Sequence, residues 1–336
     1  MFSINVRTGA ENYVTITYDT EQGIKLDELY TKIVKNDYNI YLGKKHIELA
    51  NGSQIKLLAN KDGPAIPMFY YNKEHKYFTG EAGLLFLGGS SNRYMFIHRL
   101  TNNTLIPNLQ IGISESAIAH NKINPLYYIP QYYVPYYAIK KLFGLKNDYN
   151  YYEDSYIGID LKYDSDNFTV YGELLVDEYP YQEFATNPDK RAHLMGIEVP
   201  IKDSYWVGLE YSNVYAGVYE HRFAENRYEY LGEYIGHTYG PDTVEYQLEL
   251  GINKKNKKYI FSFANIKNGP NDLDAAPNVG DGGILLKEIE SELNEYSFKY
   301  QLDQDEKYYE IKLKYIDNLS EKTQDYRFYL KTKYKF

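Results

Sequence analysis

The last residues of the chain, Tyr326-Arg-Phe-Tyr-Leu-Lys-Thr-Lys-Tyr-Lys-Phe336, alternate between apolar and mostly cationic side chains. Because successive side chains of a strand point to opposite faces, this period of two predicts a β-strand with two different faces. One face carries Tyr326, Phe328, Leu330, Thr332, Tyr334 and Phe336, and the other carries Arg327, Tyr329, Lys331, Lys333 and Lys335.

The same alternation recurs further back in the chain, at residues 157–163, 207–211, 246–252, 296–302 and 309–315. Clusters of Asp, Asn, Ser and Lys at 164–167, 253–256 and 303–305 are typical of tight turns between neighbouring strands. Longer irregular stretches fall at about 117–151, 179–189, 219–241 and 266–289. The pattern predicts long antiparallel strands, with tight turns at one end and long loops at the other.

Two architectures produce such a pattern, a soluble β-protein with its apolar face inside and an outer-membrane barrel with its apolar face outside. The predicted strands are about 10–14 residues long, whereas globular strands usually have about 5–6. Aromatic residues recur at strand ends, as they do at membrane interfaces. We therefore predict an all-β fold, a large antiparallel transmembrane β-barrel of about 16 strands (range roughly 14–18), as a single domain over residues 1–336.

Composition excludes several classes of function. The 336 residues include 41 tyrosines and no cysteine, so disulfides, thiolate nucleophiles and cysteine metal sites are excluded. A net charge of −9 argues against nucleic acid as the main partner. No stretch approaches the roughly 20 apolar residues of a helical membrane span, and Pro125, Pro130 and Pro135 interrupt the uncharged segment 124–139.

The two ends of the sequence suggest how such a barrel reaches its membrane. The N-terminus, Met-Phe-Ser-Ile-Asn-Val-Arg, lacks the features of a secretory signal, so we expect a mature or truncated form. Phe336 is similar to the C-terminal signal that the outer-membrane insertion machinery reads. Together these features predict the outer membrane of a Gram-negative-type bacterium, with contacts to lipid and to that machinery.

Several segments, in this order and spacing, resemble the Wzi-like capsule assembly family of outer-membrane proteins. They are Leu109-Gln-Ile-Gly-Ile-Ser-Glu115, Asn124-Pro-Leu-Tyr-Tyr128, Tyr156-Ile-Gly-Ile-Asp-Leu-Lys162, Val170-Tyr-Gly-Glu-Leu-Leu-Val-Asp-Glu178, Glu210-Tyr-Ser-Asn213 and Tyr234-Ile-Gly-His-Thr-Tyr-Gly-Pro-Asp242. The resemblance covers about residues 38–270. It implies a large barrel that associates with surface polysaccharide in a lectin-like role without catalysis. Compared with that family, we expect this sequence to be without the signal peptide and the N-terminal helical periplasmic region.

The predicted lumen-facing charges separate into two sets along the chain. Acidic residues on the central strands are Asp160, Glu173, Asp177, Glu198 and Glu210, followed by Glu245 and Glu249. Basic residues on the last strands are Lys299, Lys312, Lys314, Arg327, Lys331, Lys333 and Lys335. Two interpretations remain open, neutralisation through cross-strand ion pairs and a transverse field that orients a charged solute.

The segment 125–139 repeats a proline followed by paired tyrosines, at Tyr127, Tyr128, Tyr132, Tyr133, Tyr136 and Tyr137. Prolines at this spacing impose an extended or turn geometry. Tyrosine rings stack well on sugar rings, but they also pack loops and anchor barrels at the headgroup level. The repeat is therefore a candidate glycan contact or a packing element.

A second aromatic loop follows at residues 227–242, with Tyr234, His237, Tyr239 and Asp242 as candidate glycan contacts. Arg222 and Arg227 could clamp the carboxylate of an acidic sugar, because a guanidinium matches a carboxylate at two atoms. The alternative is that these arginines pair with Glu220, Glu225 or Glu229, and that the histidine and aspartate are structural.

Catalytic and metal signatures are weak. The seven histidines show no HxH or HExxH spacing, and no Gly-x-Ser-x-Gly motif is present. Asn271–Asp274 and Asp281 are interpreted as solvated turns rather than a calcium loop. We predict no cofactor, no metal and no enzymatic activity. The predicted function is binding or organisation of capsular polysaccharide at the cell surface, with an outer-membrane porin or solute-selective channel as the alternative.

Overall fold

The structure is a computed structural model, and it describes residues 10–21, 23–35, 37–50, 55–89, 92–102, 106–121, 128, 153–177, 190–202, 204–221, 224–270, 289–304 and 306–335. Its strands are β1 Ala10–Asp19, β2 Gly23–Lys35, β3 Tyr38–Lys45, β4 Ile66–Glu74, β5 Phe78–Gly88, β6 Arg93–Asn102, β7 Leu109–His120, β8 Glu153–Asp164, β9 Thr169–Asp177, β10 Arg191–Lys202, β11 Tyr205–Val214, β12 Glu229–Tyr230, β13 Glu233–Tyr234, β14 Thr243–Lys254, β15 Lys257–Asn268, β16 Ser291–Gln304, β17 Lys307–Asn318 and β18 Thr323–Lys335.

Sixteen of these strands form one closed antiparallel barrel, and β12 and β13 form a separate small hairpin. The wall closes where β1 pairs with β18, with Tyr13 opposite Lys335 and Tyr18 opposite Leu330. Closure leaves no strand edge with unpaired backbone groups, which is the condition for a sheet to cross a membrane. The predicted fold class and the strand count of 16 are confirmed. Among the described residues, no helix has both the length and the apolar character needed to cross a bilayer.

The outer face of the barrel carries exposed apolar side chains. They include Ile16, Leu26, Leu161, Leu209, Leu248, Phe261, Leu313 and Leu330. On β18, Leu330 points outward, while its neighbours Lys331 and Lys333 form ion pairs inside the wall. In the described strands the apolar side chains are therefore exposed on the outside of the wall, and these lysines lie on its inner side. Phe336 lies outside the described residues.

The long connections all lie at one end of the barrel, as the alternation predicts, and three short ones (20–22, 89–92 and 319–322) share that end. The tight-turn end holds the short connections around 36–37, 165–168, 203–204, 255–256 and 305–306. The loop end holds the long connections 121–152, 178–190, 215–242 and 269–290, and a fifth at 46–65 that is not among the predicted long stretches. In outer-membrane barrels short turns face the periplasm and long loops face the outside.

One register shift changes which side chains face the lumen. A β-bulge between β1 and β2 places Thr15 opposite Glu28 and Ile16 opposite Leu26, so Asp27 is an extra residue. As a result, two consecutive carboxylates point inward, because Asp27 accepts a hydrogen bond from Thr17 and Glu28 accepts one from Thr15. Strict alternation would have placed one of them in lipid.

Candidate functional site

The loop half of the lumen is filled by two connections that fold inward. We call residues 46–65 the plug and residues 215–242 the cap. The plug carries buried Ile47, Leu49, Ile55, Leu57 and Leu58, and an antiparallel bridge joins Leu49 to Ala59. These side chains form one buried cluster with wall and cap residues, including Tyr156 of β8 and Tyr219, Tyr228 and Ile235 of the cap.

Polar groups of the wall and the cap hold the plug backbone. Glu210 of β11 accepts the backbone N–H of Ile55 at 2.8 Å, and Glu173 of β9 accepts that of Leu57 at 2.8 Å. The Tyr228 hydroxyl donates to the carbonyl of Leu58 at 2.9 Å. Buried backbone groups need such partners, so the acidic wall residues act here as hydrogen-bond acceptors for the inserted chain.

The plug also buries one charge in this dry region. Lys56 is 0% exposed, and its Nζ lies 3.7 Å from the nearest carboxylate oxygen, Oε1 of Glu48. Burial lowers the pKa of the Lys56 ammonium, and the negative charges of Glu173 and Glu48 oppose that shift.

The predicted acidic set lies on neighbouring strands of the wall, β8 to β11 and β14, as the sequence implies. Asp160 pairs with Arg99, and Asp177 accepts the backbone N–H of Tyr219 at 2.9 Å. Glu198 faces the lumen on β10 beside Glu249 of β14, across the space that Gly208 leaves open.

The predicted basic set lies on β16 to β18, and most of its members have carboxylate partners. Lys331 lies 3.3 Å from Asp27, Lys333 lies 3.1 Å from Glu28, and Lys314 lies 2.7 Å from Glu295. Arg327 pairs with Asp325 and Glu21. Lys299 and Lys312 have no carboxylate within 4 Å among the described residues. The two arcs therefore exist, with much of their charge compensated locally.

Below the plug, toward the tight-turn end, the lumen is hollow. A cavity of about 540 Å³, which we call the chamber, lies between the plug and the basic wall. Seven lysines line it, namely Lys45, Lys61, Lys299, Lys307, Lys331, Lys333 and Lys335. Its remaining lining is Tyr13, Glu28, His46, Glu48, Asp62, Gln301, Asp303, Glu306, Tyr308 and Glu310. Its volume is in the range of small-molecule sites, roughly 300–1,000 Å³.

In the cap, two of the predicted glycan contacts, Arg227 and Tyr234, both contact the carboxylate of Glu220. Arg227 Nε lies 2.9 Å from Glu220, and the Tyr234 hydroxyl donates to the same carboxylate at 2.9 Å. The Tyr234 ring lies directly on Gly240, whose φ of +75° and lack of a side chain permit that close approach. Arg227 keeps 42% of its side chain exposed, so it remains reachable from the loop end.

The other described cap candidates are held by the barrel itself. The Tyr239 hydroxyl donates to Glu295 of β16, and the carboxylate of Asp242, just before β14, lies against Gly269, just after β15. His237 is completely buried and contacts Ser212 and Glu245. Of these three side chains His237 is completely buried, whereas Tyr239 and Asp242 are partly buried, as Tyr234 is.

The grouping of Ser212, His237 and Glu245 is not arranged as a catalytic triad. The Nδ1 atom of His237 accepts the N–H of Tyr239 at 3.3 Å, which leaves the proton on Nε2. Both Ser212, at 3.0 Å, and Glu245, at 3.2 Å, contact that same Nε2 atom. A base must accept the serine proton and be oriented through its other nitrogen, so this contact is structural.

Of the tyrosine repeat, Tyr128 is described, and its ring meets the ring of Phe96 edge-on at 5.2 Å. Phe96 belongs to the face of β6 opposite the lumen-facing Met95 and Ile97, so this tyrosine packs on the outside of the wall. The candidates Tyr127, Tyr132, Tyr133, Tyr136, Tyr137 and Arg222 lie outside the described residues, as do Asn271–Asp274 and Asp281. In the described part of the chain, no group of three His, Asp or Glu residues could hold a metal ion.

Comparison with known proteins identifies the fold. No protein-family model and no curated protein matches the chain. Among solved structures, it is similar to Wzi of Escherichia coli, described as a carbohydrate-binding β-barrel involved in group 1 capsule assembly. That similarity has a TM-score of 0.65 and 11% identity over 98% of this chain and 84% of that chain.

The chain is also similar to OccD3 (OpdP) of Pseudomonas aeruginosa, with a TM-score of 0.53 and 9% identity over 97% of this chain and 90% of that chain. For OprD of the same organism the TM-score is 0.51 and the identity 9%, over 98% of this chain and 95% of that chain. At these identities the likeness concerns the fold. The closed wall, the apolar outer face and these neighbours together identify an outer-membrane β-barrel.

Proposed function

We propose that this barrel binds surface polysaccharide at its loop end and is not a general diffusion channel. The observation that carries the proposal is the filled loop half of the lumen, where plug and cap form one buried cluster with the wall. A diffusion channel needs a continuous aqueous path, and packed apolar side chains oppose one. The similarity to Wzi, described as carbohydrate-binding, supports the same function.

The proposed contact surface lies in the loops of that end. Arg227 and Tyr234 lie side by side on Glu220, which suits a sugar ring against the tyrosine and an acidic group against the guanidinium. The paired tyrosines of 125–139 are expected to add stacking surfaces. Because the chain is acidic overall, an acidic polymer must be held by such local contacts rather than by net charge.

Binding is tested with polysaccharide extracted from the surface of the source cells and the purified barrel in detergent micelles. We expect the double variant Tyr132→Ala/Tyr133→Ala and the variant Arg227→Gln each to lower retention of the polymer by about ten-fold. Tyr77→Ala, at the tight-turn end, is the matched control and should retain it fully. Unchanged retention in both loop variants would remove this surface from the proposal.

The second candidate function is a solute-selective channel, which the chamber and the similarity to OprD favour. Planar-bilayer recording distinguishes the two. The polysaccharide-binding proposal predicts no stable current through the wild-type barrel, whereas regular ohmic steps would favour the channel.

A further inference from the structure

The chamber contains an ammonium group, that of Lys299, which has no ion-pair partner within 4 Å in the described part of the chain. Lys299 of β16 is only 8% exposed and lines the chamber. Among the described residues it has no hydrogen-bond acceptor and no carboxylate within 4 Å. An ammonium group removed from bulk water without a partner is costly, so this position calls for water or an anion in the chamber.

A second lysine stands directly beside it on the wall. Lys312 of β17 is the cross-strand partner of Lys299, and it too has no carboxylate within 4 Å among the residues that the structure describes. Like charges placed opposite each other on neighbouring strands repel. Lys312 is not part of the chamber lining, but an anion bound at Lys299 would reduce this repulsion.

The plug brings a third lysine to the same place. Lys61 and Asp62 both line the chamber, and Lys61 has no ion pair within 4 Å in the described part of the chain. Enclosure raises the pKa of Asp62, but the charges of Lys299, Lys312 and Lys61 outweigh that effect and hold it below its usual range. The lowered pKa of Asp62 therefore indicates a positive potential at this carboxylate, in a chamber whose lining also includes Glu28, Glu48, Asp303, Glu306 and Glu310.

The rest of the lining suits a small polar ring. Tyr308 and Gln301 both donate to Glu310, at 2.7 Å each, which fixes their side chains at the wall. Tyr13, on the opposite side of the basic wall, stacks on Tyr30 with 4.8 Å between ring centroids. Fixed aromatic and amide groups of this kind are the usual surroundings of a bound sugar or similar solute.

We propose that the chamber binds an anionic monosaccharide from the tight-turn side, with its carboxylate or phosphate group held by Lys299 and Lys61 and further attracted by Lys312. The site is separate from the polysaccharide surface at the loop end, and it stands whether or not that surface binds a polymer. Asp303, Glu306 and Lys307, beside the turn between β16 and β17, mark the rim through which the solute enters.

Isothermal titration calorimetry of the purified barrel in detergent micelles tests the site. The probes are D-glucuronate, glucose 6-phosphate, inorganic phosphate and neutral D-glucose. We expect at least one sugar anion to bind, and D-glucose not to bind. The two sugar anions distinguish a carboxylate site from a phosphate site, and inorganic phosphate shows whether the sugar ring contributes. Added salt should weaken the binding, because attraction between charges is screened.

Variants assign the binding to the chamber. Lys299→Gln should weaken the binding of the sugar anion by about ten-fold or more, since a charge-assisted hydrogen bond is lost. Lys61→Gln, on the plug, should also weaken the binding of the sugar anion. This second variant tests the proposal if Lys299→Gln does not fold. Lys254→Gln removes an exposed lysine at the same end, outside the chamber, and should bind as the wild type does.

Three results would overturn the proposal. They are no binding of any anionic probe up to about 10 mM, equal binding of D-glucose and D-glucuronate, or unchanged affinity in both folded lysine variants.

Discussion

The two halves of the lumen differ in what fills them. The loop half holds the plug and the cap, with Tyr156, Tyr219 and Tyr228 fully buried against one another. The tight-turn half holds the chamber, lined by lysines and carboxylates. The wall is the same sheet throughout, so the difference comes from the connections between strands.

A barrel of this many strands is too wide for wall side chains alone to fill. At the loop end, long connections provide chain that can fold inward and bury its apolar residues. At the tight-turn end, connections such as 305–306 are too short to reach the lumen. That half therefore stays open to water, and its wall is charged. Loop length thus decides where this barrel is closed and where it can hold a small solute.

The largest expected effect comes from removing the plug. Replacing residues 49–59 with a glycine–serine segment of equal length removes the buried Leu49, Ile55, Leu57 and Leu58. Water should then enter the loop half, and bilayer recording should show stable currents at least about ten-fold above those of the wild type. As a control, Leu231→Ser at the exposed tip of the β12–β13 hairpin should leave the conductance unchanged. A variant that folds but stays silent would show that the plug does not close the lumen.

A single side chain tests how tightly the loop half is packed. Tyr156 is completely buried, its ring lies 4.3 Å from that of Tyr228, and its hydroxyl donates to Asp154 at 2.6 Å. Tyr156→Ala leaves a cavity and should lower the free energy of unfolding by about 3–5 kcal/mol in urea titrations. Tyr163→Ala, on the lipid-facing side of the same strand, should lower it by less than about 1 kcal/mol. Equal losses would mean that the packing is loose.

The wall of this barrel was predictable from the sequence because the alternation of apolar and charged residues shows directly which side chains share a face. The period of two alone predicts the orientation of β18, with Leu330 outside and Lys331 inside. It also predicts that of β14, with Leu248 outside and Glu249 inside. The bulge at Asp27 was not predicted, because the inserted residue interrupts the period of two and nothing in the neighbouring sequence indicates where the interruption lies.

The filling of the lumen was not predictable in the same way. The segment 46–65 contains a mostly apolar run, Ile55-Lys-Leu-Leu-Ala59, which is typical of another short strand. Its inward course depends on Glu173 and Glu210, which accept its backbone N–H groups from strands more than a hundred residues away in the chain. Contacts of that kind leave no periodic signal. Lys299, which lines the chamber, and its neighbour Lys312 were predicted from the sequence as lumen charges. That neither has a carboxylate within 4 Å among the described residues depends on the same long-range fold.

The smallest expected effect is a pH dependence that sets the dry half apart from the wet half. The pKa of Lys56 is lowered by burial, so the folded barrel releases this proton at a lower pH than the unfolded chain, where lysine titrates near about 10.4. Between those two pH values the unfolded chain binds more protons, and the free energy of unfolding therefore rises with pH. Below both values, the folded state carries the full cost of the buried ammonium.

The free energies of unfolding of the wild type and of Lys56→Met are compared in urea at pH 7 and pH 10. The stability of the wild type relative to Lys56→Met should be higher at pH 10 than at pH 7. Lys254→Met, which removes an exposed lysine at the tight-turn end, is the matched control, and an equal shift there would contradict the assignment of the effect to the plug.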